Sequence, residues 1–186
     1  MSFGDADPNR QIVVVLGHRT RPTPTRTVTV NGVSATELLY SESNVSNQIF
    51  GRSVWIASVP TGTSGDVVVN LSAGAWVSGS WAAVSLYRLV GFESTAYDTA
   101  TSTSAATTID IEAGGVVIAG FSGNSNITNL SYTGLTSDEE EDIGVTTDSF
   151  ASASHESVSG ETGRSVFIDN GSDNAEGASY VSISPQ

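Results

Sequence analysis

The sequence predicts an all-β chain, a single antiparallel β-sandwich of jelly-roll-like topology over residues 1–186 with almost no helix. Three observations lead there. Short β-branched and aromatic runs recur along the chain, each bounded by Gly, Pro, Asn or Ser. An Asn31-Gly32 pair separates two alternating segments, which is the composition of a two-residue hairpin turn. No segment holds a 3.6-residue apolar period between caps, so helix has no place to start.

Taken in order, Arg10 to Gly17 (RQIVVVLG) is a compact β-branched run and reads as a buried strand. Thr20 to Thr25 carries two prolines, which cannot donate to a ladder, and reads as a loop. Thr27 to Val30 and Val33 to Tyr40 form a hairpin around Asn31-Gly32, because a type I′ turn needs two positive-φ residues. Ser41 to Gln48 is polar and reads as a loop. Phe50 to Val59 is a strand ended by Pro60, and Asp66 to Ser72 follows with Val67, Val69 and Leu71 on one face.

Ser80 to Gly91 (SWAAVSLYRLVG) is apolar on both faces: Trp81, Ala83, Ser85, Tyr87 and Leu89 on one, Ala82, Val84, Leu86 and Val90 on the other. That pattern predicts a strand covered on both sides, near the middle of a sheet. Ser94 to Thr108 is a Ser/Thr/Ala tract, read as a long loop containing an edge strand. Further strands are expected at Thr108 to Glu112, Val116 to Phe121, Leu130 to Thr133, Asp148 to Ser154, Arg164 to Ile168 and Ala178 to Ser184. The total is ten to twelve strands, with no dividing linker and no internal period.

Charge narrows the function classes. Seven Arg, no Lys and twenty acidic residues leave a net charge of −13. A nucleic-acid partner needs a basic surface, and an anionic membrane surface would repel this chain. The charge is also unevenly placed. Arg10, Arg19, Arg21 and Arg26 come early, and Asp138, Glu139, Glu140, Glu141 and Asp142 form a late acidic loop. Two solvated surfaces are one reading. A head-to-tail contact, with one copy's arginines on the next copy's acidic loop, is the other. There is no cysteine, hence no disulfide and no thiolate metal site. Met1 to Asp5 is acidic and lacks an apolar run, and no stretch approaches the roughly 18 apolar residues of a span. A protein made in the host cytoplasm without membrane insertion is expected.

Catalytic groups are sparse. His18 and His155 are the only histidines, the first expected to be structural and the second exposed. Gly120-Phe-Ser-Gly-Asn124 lacks the closing glycine of a nucleophile elbow. Asp110 and Glu112 share one strand face beside Ile109 and Ile111, the polar side of an amphipathic strand rather than a paired-carboxylate site. Residues 138–142 offer five carboxylates that would suit Ca²⁺ but lack the glycine and alternation of an EF-hand loop, so no cofactor is expected. No enzyme is predicted. Aromatic residues point instead to binding. Trp55 and Trp81 are expected in the core. Trp76, in a small-residue loop, and Tyr97 are the contact candidates, for a glycan or a neighbouring subunit.

The segments Val28 to Thr36, Trp55 to Val69 and Leu86 to Gly91, in this order after RQIVVVLGHR, resemble a β-sandwich module of tailed-bacteriophage and gene-transfer-agent virion proteins. The resemblance covers roughly residues 3 to 121 and carries no catalytic residue. It implies a virion-surface structural protein, a capsid decoration or head-fibre subunit, with other virion proteins as partners. A homo-oligomer, in its closed form a trimer, is expected. The alternative it implies is a tail-fibre module recognising host surface polysaccharide. Interface candidates are Arg19, Arg21, Arg26, Trp76, Tyr97 and Asp138 to Asp142. Relatives carry more chain before Phe3, so a short stand-alone version is expected, or one whose missing edge strand a partner supplies.

Overall fold

The computed structural model describes residues 1–72, 78–124, 127, 130–143, 148–171 and 177–186. It is the all-β antiparallel sandwich the sequence predicts, built from four sheets. The strands among the described residues are β1 (Arg10–Thr20), β2 (Arg26–Val30), β3 (Val33–Ser34), β4 (Thr36–Val45), β5 (Gln48–Ser58), β6 (Val67–Leu71), β7 (Trp81–Val90) and β8 (Asp98–Ser102). The second half adds β9 (Thr107–Ile111), β10 (Gly115–Asn124), β11 (Ser131–Thr133), β12 (Thr136–Ile143), β13 (Asp148–Ser157), β14 (Glu161–Asp169) and β15 (Gly177–Ile183). Two large sheets run β4-β5-β1-β7 and β12-β13-β10-β15-β8, and two small ones run β3-β2-β6 and β11-β14-β9.

Side-chain alternation decides the layering. On β1, Ile12, Val14 and Leu16 point to one side, where they meet Val28 and Val30 of β2 and Trp55 of β5. Val13 and Val15 point to the other, against Val116 and Ile118 of β10 and Phe150 of β13. The opposite face of β10 sends Val117, Ala119 and Phe121 to Ile109 and Ile111 of β9 and Val166 and Ile168 of β14. The layers therefore stack small sheet, large sheet, large sheet, small sheet, with three cores between them. The central strands of both large sheets are wrapped on both faces. That is why RQIVVVLG and GVVIAGFSG are continuous apolar runs in an antiparallel protein.

The two halves repeat one topology that has no counterpart period in the sequence. The order β4-β5-β1-β7 recurs as β12-β13-β10-β15. Both leading edge strands carry a bulge in the same place, between Glu37 and Leu39 on β4 and between Ser137 and Glu139 on β12. Gly62 and Gly160, each following the second strand of its half, share a φ of 76° that favours glycine. The packing is reciprocal as well: β5 lies against β10 and β1 against β13. The two large sheets face each other across a shared core. Gly17 and Gly120 permit this approach. A Cβ on Gly17 would sit 2.4 Å from Phe150 Cδ2, and one on Gly120 would sit 2.5 Å from Val15 Cγ1.

Three local expectations are corrected. β7 is apolar on both faces as read, yet it is an edge strand; its two-sided cover comes from lying in an inner layer, not from a central place in its sheet. Ser41 to Gln48 is not a loop but the end of β4, a tight turn at Ser46-Asn47 (φ 50° and 63°) and the start of β5. Fifteen strands among the described residues replace ten to twelve because such short polar segments pair. The Asn31-Gly32 turn is present, with φ of 50° and 79°, though the β2–β3 ladder it closes is two residue pairs long. β8 is the edge strand expected in the Ser/Thr/Ala tract.

Candidate interaction surface

The seven arginines show what the surface is left with. Arg10 is fully buried, 0% exposed, and has no acidic partner among the described residues. Its guanidinium donates instead to backbone carbonyls: Nε to Val59 at 2.7 Å, Nη1 to Asp5 at 2.8 Å, Nη2 to Thr61 and Gly62 at 2.8 Å each. One residue thereby ties the N-terminal segment to the β5–β6 turn. Arg52, also fully buried, lies between the large sheets and donates to Ser41 Oγ and Ser43 Oγ at 2.7 and 2.9 Å. Burial lowers its pKa to about 10, which Tyr40, Tyr180 and Glu42 partly offset.

Arg19 is a bridge between the halves. Its Nη1 meets Asp148 Oδ2 at 2.5 Å, and the same oxygen accepts from Trp81 Nε1 at 2.9 Å. The arginine, carried on β1, and the carboxylate, carried on β13, are both nearly out of water, where truncating either partner strands the other. Arg26 pairs with Glu37 at 3.1 Å and lies over the Tyr40 ring at 3.4 Å. Arg21 donates to Ser46 O at 3.0 Å, Arg88 to Asp5 O at 3.2 Å, and Arg164 to Gly134 O and Glu161. Every arginine is thus bonded within the chain; of the interface candidates at 19–26, Arg19 and Arg26 are ion-paired and Arg21 bonds a backbone carbonyl.

Neighbouring His18 is fully buried, as expected of a structural residue. Its ring lies across Gly51, where a Cβ would fall 2.2 Å from Nε2, and stacks on Tyr40 at 6.2 Å. Burial first, then Arg26 and Arg52, lower its pKa to about 4. His155 is not the exposed residue expected. It is half-buried on β13 and bonds Glu161 at 2.9 Å. Together with Arg164, it holds the Glu161 carboxyl down to about 2.

The acidic run is likewise corrected. Asp138 to Asp142 is not a loop but the centre of β12, an edge strand paired along β13. Charge on an edge strand blocks pairing with another sheet. Asp138 accepts from Tyr87 OH at 2.8 Å, Glu140 from Ser137 and Asp142 from Ile127 N, while Glu139 and Glu141 stand in the row beside Ser152 and Phe150. No group of three or more metal-ligating side chains occurs among the described residues. Trp76 falls outside the described residues. Trp55 and Trp81 are in the core, 5% and 8% exposed.

Tyr97, a contact candidate, is 54% exposed. It lies at a groove of about 350 Å³ with Glu93, Thr95, Glu112 and Ser184. The segment joining the two halves forms one wall. It is zipped to the C-terminal strand through Glu93 N to Ser184 O (2.9 Å) and Tyr97 N to Ser182 O (2.8 Å).

Comparison with protein-family models, curated proteins and solved structures finds no match to this chain. Function therefore has to be argued from the surface. Sequence reasoning selected Tyr97, set Glu112 aside as part of a polar strand face and missed Glu93. They are distant in sequence, and only the joining segment and the β9–β10 turn bring them together.

Proposed function

We propose that this chain is a structural protein of a bacteriophage particle surface, a capsid decoration or head-fibre subunit that binds other capsid subunits. One observation carries the reading furthest. All seven arginines are bonded inside the chain while most of the carboxylates face outward, so the exterior is acidic and its natural complement is a basic protein surface. The block from RQIVVVLGHR to Leu86–Gly91, with its resemblance to virion modules, supplies the context. Four tightly packed layers suit a part that adds stiffness rather than turnover.

The test is addition of purified protein to particles lacking it. Saturable co-sedimentation that weakens with salt, with ordered density on the capsid in cryo-microscopy, is the expected result. A chain that stays free in solution beside intact particles overturns the proposal.

A further inference from the structure

We infer that the groove at Tyr97 is an anchor for a single basic side chain, the guanidinium of an arginine or the ammonium of a lysine carried by a partner segment. Pockets that bind small groups begin near about 300 Å³, and this one, at about 350 Å³, is in range. Its walls are fixed in advance. Phe92 bridges Pro185, Gln186 N donates to Gly91 O at 2.8 Å, and the Glu93 and Tyr97 amides are bonded to the C-terminal strand. Binding thus orders little new backbone.

The chemistry of the lining selects the ligand. Glu93 and Glu112 bring two carboxylates and no arginine lines the groove, each arginine being bonded elsewhere. Beside them Tyr97 is an exposed aromatic, and a cation lying over an aromatic ring while bonded to carboxylates satisfies both features at once. A sugar would stack on the same ring. Its acceptor oxygens, however, would find only the hydroxyls of Thr95, Tyr97 and Ser184 as side-chain donors, and an acidic polysaccharide would be repelled. The inference rests on the acidic-exterior reading but not on the partner being a capsid.

The probe is a capped Arg-Ala-Arg peptide titrated into the full chain by calorimetry at low salt. Its chemical-shift changes should map to Glu93, Tyr97 and Glu112. Weak saturable binding is expected, reduced about tenfold by Tyr97→Ala and again by Glu93→Gln with Glu112→Gln. The variant Glu139→Gln with Glu141→Gln, on β12, should leave the affinity within about twofold. Equal binding by wild type and Tyr97→Ala, or an equal loss in the β12 variant, reduces the effect to general attraction by an acidic surface and overturns the proposal. So does a neutral oligosaccharide that saturates the groove and is not displaced by the peptide. If Tyr97→Ala still sediments with particles while losing the peptide, the groove proposal stands and the particle contact lies elsewhere.

Discussion

At the scale of single residues, this protein uses charged and titratable side chains as structural parts. Arg10, Arg52 and the Arg19–Asp148 pair are largely withdrawn from water; Arg10 is held by backbone carbonyls, Arg52 by serine hydroxyls, and Arg19 and Asp148 by each other. His18 is the complementary case, a group kept neutral by burial next to Arg26 and Arg52. Its folded pKa of about 4 lies below the ordinary value of 6.5. Between those values the unfolded chain binds a proton that the folded chain does not. Stability is therefore complete above pH 6.5 and falls as the pH drops to about 4, by about 3 kcal/mol in all. Glu161, held down to about 2, acts with the same sign at lower pH, being lost as the carboxyl protonates. Urea unfolding at a series of pH values should show this slope, and His18→Gln should flatten it between pH 4 and 6.5. An unchanged slope in that variant would assign the effect to other groups.

At the scale of elements, alternation and turn chemistry were readable where a residue type has one dominant use. Asn31-Gly32 made its turn because few other residues adopt positive φ twice in succession. β12 was unreadable for the opposite reason. Five consecutive acids are disfavoured in strands by intrinsic preference, yet pairing along β13 overrides that preference when the side chains can leave the sheet. The acids then act as a guard on an open edge. Replacing Glu139 and Glu141 by Thr should change stability by no more than about 1 kcal/mol, since Glu141 is exposed and Glu139 only half-buried. The same change should cause association through the uncovered edge. Sedimentation velocity decides it: a variant that remains as dispersed as the wild type means that the β12 charges do not protect the edge.

For the whole molecule, the central question is whether two similar halves behave as one body. The core between the large sheets is built jointly, from Val13, Val15, Phe50 and Val54 on one side and Val116, Ile118, Phe150 and Val181 on the other. Exposing it would forfeit about 1.5–3 kcal/mol for each large apolar side chain. The halves should therefore unfold in one transition, with equal calorimetric and van't Hoff enthalpies. Gly120→Ala, which forces a Cβ to 2.5 Å from Val15 Cγ1, should destabilise that transition by about 1–3 kcal/mol. Two separated transitions, or a Gly120→Ala variant with wild-type stability, would mean that the shared core does not bind the halves together.

The sequence by itself determined the strand character, most strand positions, the Asn31-Gly32 turn and the core places of Trp55 and Trp81. Each follows from local sterics and from the two-residue period of a strand, which neighbouring residues carry. Tertiary structure alone decided the four-layer stack, the repeated topology, the edge position of β7 and the pairing of β12. It also decided the internal use of the arginines and the meeting of Glu93, Tyr97 and Glu112. A strand buried on both faces looks the same in sequence whether it is central in one sheet or lateral in an inner layer. What separates the two cases is which distant strand supplies the cover, and that is settled only when the layers close on one another.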